Sequence, residues 1–334
     1  MPIQSRRRFL TDAAVAGAAG FIGFDTWGKA LAAEPPPETT SVRLPKMQTI
    51  CFAPLYVCEE LLRNEGFTEI HFVDVSLPEL LDSSALSRGR VDFAAALTLV
   101  HVIGFDAGAP ITVISGVHVG CYELFAHGDI RAITDLKGKK VGSVGANPLV
   151  SMISAWVGLD PKKDLALVDD PAAKPMELFL EGKLDAYLGF PPEPQLLHAR
   201  KAGHVLLRTA VDRPWSQYFC CTLAGNKEYV ARHPAATKRV IRAILKAADL
   251  CASQPDQSAR LIVDRGFVEG YDDALQTLND NPYGQWREYD AVDSVRFYAL
   301  RLHELGMIKR DPKRILADGT DFRFLDELKR ELKG

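Results

Sequence analysis

The chain has 334 residues, of which 47% are hydrophobic and 25% are charged, the balance of an ordinary globular protein. Its formal net charge of −3 gives no basic excess of the kind that nucleic-acid-binding proteins carry, and no apolar run reaches the roughly 18–20 residues that span a bilayer. These features exclude an integral membrane protein, a disordered chain and a small disulfide scaffold. They leave a soluble chain long enough for two domains of about 150 residues each.

The first 33 residues have the ordered parts of an export signal. Residues 5–10 (S-R-R-R-F-L) are charged, residues 11–22 are weakly apolar and rich in Ala and Gly, and small residues follow. The S-R-R-x-F-L string resembles the twin-arginine export signal, whereas the alternative is a chance cluster of arginines at a chain terminus. The signal implies a periplasmic protein that is cleaved near Ala32 or Ala33.

The next segment, residues 34–42, is a Pro-rich spacer, and folded structure is expected to start near Val42. All six cysteines lie beyond the spacer: Cys51, Cys58, Cys121, Cys220, Cys221 and Cys251. Their spacing contains no paired C-x-x-C and no Cys/His ligand set, so we expect no metal site and no cofactor. An oxidising compartment permits disulfides, including one between Cys220 and Cys221, but the sequence leaves any pairing open. The alternative for most of these cysteines is the role of a small buried hydrophobe.

Strand and helix patterns alternate from residue 48 onward. Helices are predicted from Pro54 to Gly66, from the capping box Ser76-Leu77-Pro78-Glu79, and from Thr98 as N-cap to Ala107. The strands of this first series are predicted at residues 49–52, 70–75, 91–96, 111–115 and 121–126.

A second series repeats this order and leads into a mainly helical part. Its strands are predicted at residues 140–144, 165–168, 184–189 and 205–207. Its helices are predicted at residues 148–158 and 173–181. A further strand at 219–223 precedes long periodic helices at residues 235–252, 290–305 and 320–332.

This alternation predicts an α/β protein with mostly parallel sheets flanked by helices. We expect one lobe from residues 43–126 and 211–334 and a second lobe from residues 127–210, joined by two crossing segments. A cleft between the lobes would lie outside the carboxyl ends of the strands, where such sheets bind ligands.

Four segments, in the expected order, resemble the nitrate/sulfonate/taurine-type solute-binding proteins. Residues 53–60 (A-P-L-Y-V-C-E-E) are similar to the P-x-Y-V-A-x-E-x-G opening of that family, and residues 86–94 (L-S-R-G-R-V-D-F-A) are similar to its L-x-x-G-x-x-D-F segment. Residues 134–142 (T-D-L-K-G-K-K-V-G) resemble D-L-K-G-K-x-V-G, and residues 180–186 (L-E-G-K-L-D-A) resemble L-x-x-G-x-x-D-A. One departure is Cys58, which stands where the family usually has Ala.

The resemblance implies a two-lobed periplasmic-binding-protein fold of type II in a component of an ABC importer. Such a protein binds a small polar or anionic molecule (sulfonate-, nitrate-, taurine- or pyrimidine-like) and delivers it to a permease in the inner membrane. A monomer that binds no nucleic acid is expected.

An enzyme is the alternative interpretation. The thiamine-pyrimidine synthase family shares the fold and carries a Cys-rich strand, which residues 218–221 (Y-F-C-C) resemble in a shorter form. The export signal argues against a cytoplasmic biosynthetic enzyme. The sequence also lacks the G-x-S-x-G, H-E-x-x-H and G-x-x-x-x-G-K-[ST] motifs, so we predict that the protein is not an enzyme.

Loops at the carboxyl ends of the predicted strands are expected to face the cleft, together with one return segment. The candidate ligand contacts in them are Phe52, Tyr56, Ala96, Thr98, His118, Tyr122, Asn147, Ser151, Phe190, Trp215 and Tyr218.

The strongest of these candidates is the turn at residues 145–151, because the free N–H groups and the dipole of the following helix favour an anion. The alternative there is an ordinary strand-to-helix connection. For Thr98 the alternative is a plain N-cap, for His118 a buried structural histidine, and for the aromatic residues core packing. Cys220 and Cys221 are candidates for a nucleophile or a metal site. We favour two strand residues that face opposite sides.

Overall fold

The computed structural model describes residues 34–332, so the predicted export signal at residues 1–33 lies outside the described residues. Ten strands lie within the described part of the chain: β1 Ser41–Lys46, β2 Glu69–Asp74, β3 Phe93–Leu97, β4 Ile111–Val119, β5 Glu123–Ala126, β6 Lys139–Ser143, β7 Leu165–Val168, β8 Ala186–Gly189, β9 His204–Arg208 and β10 Phe219–Asn226. None of the helices in that part is both long and apolar enough to cross a membrane.

Helices connect most of these strands and build the carboxyl-terminal third. The helices of the first half are α1 Ala53–Val57, α2 Glu59–Asn64, α3 Leu77–Leu81, α4 Ser84–Ser87, α5 Thr98–Asp106, α6 Asn147–Trp156, α7 Pro175–Leu180 and α8 Glu193–Ala199. The later helices are α9 Lys227–Arg232, α10 Pro234–Ser253, α11 Pro255–Asp264, α12 Tyr271–Asp280, α13 Ala291–Glu304, α14 Pro312–Gly319 and α15 Arg323–Glu331. Short 3-10 helices lie at Ile50–Phe52, Ile133–Leu136, Pro171–Ala173, Trp215–Gln217 and Tyr283–Arg287.

The strands form three sheets of mixed direction. Strands β1 and β2 pair in parallel, and β10 lies between β3 and β4 and is antiparallel to both. The third sheet has the order β7-β6-β8-β5-β9, in which β6 is parallel to β7 and β8 while β5 is antiparallel to β8 and β9. The antiparallel members β5 and β10 each adjoin a segment that passes between the three-stranded and the five-stranded sheet.

Within the described residues, two segments connect the three-stranded sheet with the five-stranded sheet, and they lie side by side. The Tyr122 N–H donates to the Thr209 hydroxyl, and the Thr209 N–H donates to the Tyr122 carbonyl, both over 2.9 Å. Gly120, at a φ of +73°, lies so close to Ala210 that an added Cβ would overlap it. Because β5 pairs within the five-stranded sheet, the first crossing lies at residues 120–122, a few residues earlier than the predicted lobe boundary at 126.

Each of the two larger sheets has an apolar core. Strand β4 and nearly all of β10 are buried along their lengths, and α10 packs nearby with ten buried residues on one face. A separate cluster lies against the five-stranded sheet: Phe125, Phe179, Leu184, Tyr187 and Leu197. Burial of this many large apolar side chains is the main stabilising contribution to such domains.

Most predicted elements are present, and three details differ from the prediction. The predicted strand at 49–52 is the 3-10 helix Ile50–Phe52, because a short apolar run does not distinguish a strand from a buried helical turn. Thr98 does not cap α5, since its hydroxyl donates instead to the carbonyls of Phe219 and Cys220 over 2.7 and 3.0 Å. The strand predicted at 111–115 is longer than expected, because β4 continues to Val119.

Candidate functional site

A cavity of about 50 Å³ lies where strand ends of the three-stranded and five-stranded sheets meet. Its lining comes from both of these sheets and from the segments that follow β1 and β2: Met47, Thr49, Cys51, Phe52, Leu77, Leu80, Leu81, Ala96, Leu97, Val100, Cys121, Tyr122, Val144, Gly145, Phe190 and Cys221. Among these described residues none is Asp, Glu, Lys or Arg. The lining therefore presents aromatic rings, aliphatic groups, thiols and few hydroxyls rather than formal charge.

Five side chains with sulfur or imidazole donors converge on one side of this cavity. We call them the thiol cluster: Cys51, His118, Cys121, Cys220 and Cys221. A ring nitrogen of His118 and the sulfurs of Cys51 and Cys121 lie within 4.8 Å of one another. The sulfurs of Cys121, Cys220 and Cys221 form a second such trio, in which Cys121 and Cys220 are 3.5 Å apart. All of the cluster cysteines are free thiols, and no member of the cluster is more than 7% exposed.

Local structure explains how the cluster forms. Cys51 lies on the 3-10 helix Ile50–Phe52, where the Thr49 hydroxyl is 3.1 Å from its sulfur. Cys121 follows the end of β4 with a φ of +109°, a left-handed conformation that residues with a Cβ seldom adopt. Such strain costs on the order of 1–3 kcal/mol and persists only where the surrounding structure imposes it. Strand β10 contributes the remaining two cysteines and pairs with β4 through Cys221 and His118.

Ionisation within the cluster is uneven. Burial raises the pKa of Cys121 well above its ordinary value. Burial acts in the same direction on Cys220, but hydrogen bonding with Cys121 and Cys221 lowers the pKa of Cys220 to about 6. Burial would lower the pKa of His118, yet the negative charge on neighbouring Cys221 helps to raise it to about 10. Hydrogen bonding thus lowers the pKa of both cysteines on β10, Cys220 and Cys221, and favours the thiolate form in which cysteine is a nucleophile and a metal ligand.

On the opposite side of the cavity, two carboxylates outside the lining accept hydrogen bonds from the backbone of lining residues. The Asp169 carboxylate, which follows β7, accepts a 2.7 Å hydrogen bond from the N–H of Gly145. The Glu193 carboxylate accepts a 3.2 Å bond from the N–H of Phe190. Burial raises the pKa of Asp169 and raises that of Glu193 to about 7. Gly145 and Phe190 line the cavity, so both carboxylates fix loops of the site without entering it.

Four of the eleven predicted ligand contacts line the cavity, namely Phe52, Ala96, Tyr122 and Phe190. The rings of Tyr122 and Phe190 lie 5.7 Å apart between centroids. Since Tyr122 follows β4 and Phe190 follows β8, this pair joins the two sheets across the site. A fifth predicted residue, His118, lies in the thiol cluster.

Two other predicted contacts, Tyr56 and Thr98, are buried inside the protein and have partners there. Tyr56 is fully buried, its hydroxyl donates to the Met47 carbonyl over 2.6 Å, and its ring stacks on Phe267 with centroids 4.4 Å apart. Thr98 is fully buried and ties α5 to β10 through its hydroxyl.

The remaining predicted contacts lie away from the cavity. Asn147 and Ser151 line a separate hollow of about 380 Å³, and the Asn147 side chain accepts a 3.0 Å bond from the Ser143 hydroxyl. Trp215 and Tyr218 pack against Phe297, with ring centroids 5.7 and 4.0 Å apart. The structure does not bring these four side chains into one site with Phe52 and Phe190.

The sequence contained only weak signals for the thiol cluster. Its members come from three segments that are separated by 67 to 99 residues, so ligand spacing along the chain revealed nothing. The adjacent Cys220 and Cys221 and the strand end around His118 were the available signals. Their convergence depends on the pairing of β4 with β10, which sequence periodicity does not specify.

Solved structures resemble this fold over most of its length. The periplasmic nitrate-binding protein NrtA from Synechocystis PCC 6803 aligns with a TM-score of 0.75 at 16% identity and covers 90% of each chain. The alkanesulfonate-binding protein SsuA from Xanthomonas axonopodis pv. citri, bound to MOPS, aligns with a TM-score of 0.68 at 17% identity, over 87% of this chain and all of that one. These likenesses confirm the predicted periplasmic-binding-protein fold.

Sequence relatives include an enzyme. The 4-amino-5-hydroxymethyl-2-methylpyrimidine phosphate synthase THI13 of Saccharomyces cerevisiae is 23% identical over 295 residues, which cover 81% of either chain. The model of the family described as NMT1/THI5 like matches residues 58–258, more than half of the sequence. The chain therefore belongs to the NMT1/THI5-like family.

Proposed function

We propose that the protein is the solute-binding component of an ABC importer and that its ligand lies in the cavity between the two sheets. The observation that supports this most is the composite lining. Phe52, Ala96 and Tyr122 come from the side of the three-stranded sheet, while Gly145 and Phe190 follow strands of the five-stranded sheet. A ligand that touches both sets favours the state in which the sheets are close together. Hinge closure of this kind is how a two-lobed binding protein encloses a small molecule.

The size of the cavity and the paired connections fit such a closure. Ligand pockets for organic molecules usually measure about 300–1,000 Å³. The cavity measures about 50 Å³, so a sulfonate-sized molecule enters only when the two sheets move apart. The adjacent connections at residues 120–122 and 209–210 are the natural hinge, since only a few backbone angles there must change. The lobes would then be those predicted, residues 43–126 with 211–334 and residues 127–210, except that the first boundary lies at residues 120–122 instead of 126.

The lining favours an uncharged ligand among the predicted classes. No Lys or Arg side chain lies among the described lining residues, and the Gly145 N–H is already bonded to Asp169. A nitrate or a sulfonate would lose hydration without gaining a cationic partner, which is costly in a buried site. Aromatic rings at Phe52, Tyr122 and Phe190 suit a flat heteroaromatic molecule. We therefore favour the pyrimidine-like class over nitrate, sulfonate and taurine.

Ligand screening tests this function. The purified protein is heated in the presence of nitrate, taurine, MOPS and a 4-aminopyrimidine, because a ligand that binds only the folded state raises Tm. The aminopyrimidine is expected to raise Tm and to reduce the radius of gyration measured by solution X-ray scattering. Phe190→Ala should weaken that binding by about tenfold or more, as loss of a stacked ring costs on the order of 1.5 kcal/mol. Tyr218→Ala, which removes a ring outside the cavity, is the control and should keep the affinity.

Retention of affinity in Phe190→Ala would show that the ligand does not occupy this cavity. A response to none of the probes, with no change in the radius of gyration, would count against the importer function.

The second candidate function is pyrimidine synthesis, which the sequence similarity to the yeast synthase favours. The two functions differ in the fate of the bound molecule. A binding protein releases its ligand unchanged, whereas a synthase converts a precursor into the pyrimidine phosphate. Mass spectrometry of the ligand recovered after long incubation separates them, and recovery of the intact probe supports the importer component.

We propose a periplasmic location and an inner-membrane permease as partner, in line with the predicted export signal.

A further inference from the structure

The thiol cluster has the donor set and the spacing of a metal site. Zn²⁺ and Cu⁺ are bound by thiolate sulfur and imidazole nitrogen in proteins. In a tetrahedral site with metal–sulfur bonds of about 2.3 Å, neighbouring sulfurs lie about 3.8 Å apart. The sulfurs of Cys121 and Cys220 are 3.5 Å apart, close to that spacing and well beyond the roughly 2 Å of a disulfide bond. Each trio also keeps all its donor atoms within 4.8 Å.

His118 supplies an independent observation. Its side chain is fully buried, and its Nε2 atom has no hydrogen-bond partner among the described residues. Its Nδ1 atom lies 3.4 Å from the carbonyl oxygen of Val119. A histidine that binds a metal commonly directs one ring N–H to a backbone carbonyl and coordinates through the other nitrogen. An unpartnered buried polar atom costs about 1–3 kcal/mol, and coordination of a cation would remove that cost.

The cluster is reachable from the cavity. Cys51, Cys121 and Cys221 line it, whereas His118 and Cys220 lie behind them. A cavity of about 50 Å³ has room for an ion and a few waters, because one water needs roughly 10–15 Å³. No Asp or Glu is among the described lining residues, so the sulfurs of Cys51, Cys121 and Cys221 are the strongest potential metal ligands on the cavity surface. An ion that enters the opened cavity therefore meets sulfur ligands first.

We propose that the thiol cluster binds one thiophilic d¹⁰ cation, Zn²⁺ or Cu⁺, with Cys121 as the ligand common to both trios and His118 Nε2 as the nitrogen ligand. The other ligands come from Cys51, Cys220 and Cys221. Binding replaces the protons of the coordinating thiols, so metal uptake releases protons and weakens as the pH falls. This site does not rest on the proposed transport function, since metal uptake is measured without any organic ligand.

Cadmium is the probe for the test, because Cd²⁺ is a d¹⁰ cation with strong thiolate affinity and its thiolate complexes absorb in the ultraviolet. The full chain is reduced, freed of metal with a chelator, and titrated with Cd²⁺ and then with Zn²⁺ as competitor. We expect a charge-transfer band that saturates at one Cd²⁺ per chain and is displaced by Zn²⁺. The Tm should rise with metal concentration, since the assembled cluster binds the ion more tightly than the dispersed cysteines of the unfolded chain.

Variants connect the band to the cluster. Cys121→Ala should weaken Cd²⁺ binding by more than about 100-fold, because even removal of outer-shell partners costs about 10–100-fold. Cys251→Ala is the matched control, a buried free thiol outside the cluster, and should keep both the band and its stoichiometry. Should Cys121→Ala fail to fold, Cys220→Ala provides the same test, with the far-ultraviolet circular dichroism of the wild type as the criterion of folding. His118→Ala should also weaken Cd²⁺ binding, because it removes the nitrogen ligand.

Several results would overturn the proposal. The first is a reduced, folded wild type that takes up no Cd²⁺. The second is a band that persists in a folded Cys121→Ala or Cys220→Ala variant. The third is a Cys121–Cys220 disulfide in freshly purified protein whose reduction produces no metal affinity, which would assign the cluster to a redox bond instead.

Discussion

The two sides of the cavity use buried ionisable groups in opposite ways. On the side of the three-stranded sheet, the thiols of Cys51, Cys121 and Cys221 reach the cavity surface. On the side of the five-stranded sheet, Asp169 and Glu193 are turned away from it and accept hydrogen bonds from the backbone of lining residues. One side therefore offers donors to a ligand, whereas the other uses its charged groups to position the loops.

The difference shows why a strand end alone does not identify a binding site. The turn before α6 has the small residues and the helix start that favour an anion, yet the Gly145 N–H already donates to Asp169. The start of that helix is thus supplied with an internal anion. In the thiol cluster, by contrast, His118 Nε2 has no partner among the described residues. What decides the chemistry is which donors and acceptors remain free after the fold is complete.

The largest loss of stability is expected where the two connections between the three-stranded and five-stranded sheets lie side by side. Gly120 has a φ of +73° and lies against Ala210 in the neighbouring connection. Gly120→Ala should lower the free energy of unfolding by about 4 kcal/mol, because it combines a left-handed alanine with a steric overlap. Urea denaturation followed by circular dichroism measures this loss.

Gly128→Ala is the control for Gly120→Ala. Gly128 also has a positive φ (+62°), but nothing lies within 4 Å of the added Cβ. This variant should lose only about 1 kcal/mol, which is the cost of the backbone conformation alone. Equal losses in both variants would show that the two connections are not in close contact.

Local sequence signals predicted the elements that position the site. The capping box at Ser76 and Glu79 was predicted, and the Glu79 carboxylate accepts bonds from the N–H and hydroxyl of Ser76. The start of α6 after Gly145 was also predicted, because Pro in the first helical turn is a local preference. Such signals involve residues within one turn of each other, so they do not depend on the tertiary structure.

Contacts between distant segments were beyond the sequence signals. The stacking of Tyr56 on Phe267 and the packing of Trp215 on Phe297 turn two predicted ligand contacts into core residues. An aromatic residue near a strand end is compatible with a ligand contact and with core packing, and only its packing partner in the fold distinguishes the two roles. The thiol cluster was missed for the same reason, since its members meet only when β10 inserts between β3 and β4.

The second prediction concerns Glu193, whose pKa is raised by burial from 4.5 to about 7. Between these two values the folded state binds a proton more tightly than the unfolded chain, so the free energy of unfolding falls as the pH rises. The decrease across this range should reach at most about 3 kcal/mol. Glu193→Gln should remove most of that slope, and Glu177→Gln, at an exposed glutamate of the same lobe, should keep it. Chemical denaturation at a series of pH values from 4 to 8 measures the slope.

An unchanged slope in Glu193→Gln would contradict this prediction, because it would mean that the Glu193 carboxyl group is solvated in the folded protein.

The smallest loss of stability is expected from substitution of Asp169. This residue lies on the carboxylate side of the cavity and contacts no member of the thiol cluster. Its carboxylate accepts bonds from the Gly145 N–H and, over 3.3 Å, from the Ser143 hydroxyl. Asp169→Ala removes the acceptor of the Gly145 N–H, whereas the Ser143 hydroxyl keeps Asn147, and should lower the free energy of unfolding by about 1–2 kcal/mol. Asp169→Asn keeps an acceptor oxygen and should lose less than half as much.

The control for Asp169→Ala is Asp170→Ala, at the adjacent exposed position, where a carboxylate–backbone bond to Ala172 faces solvent. That variant should stay within about 0.5 kcal/mol of the wild type, as surface substitutions usually do. Because Asp169 holds the Gly145 loop and touches no thiol, Asp169→Ala should leave the affinity for Cd²⁺ unchanged while it weakens an organic ligand that contacts that loop. A parallel loss of Cd²⁺ affinity would show that the two sides of the cavity act as one site, and the contrast between them would then fail.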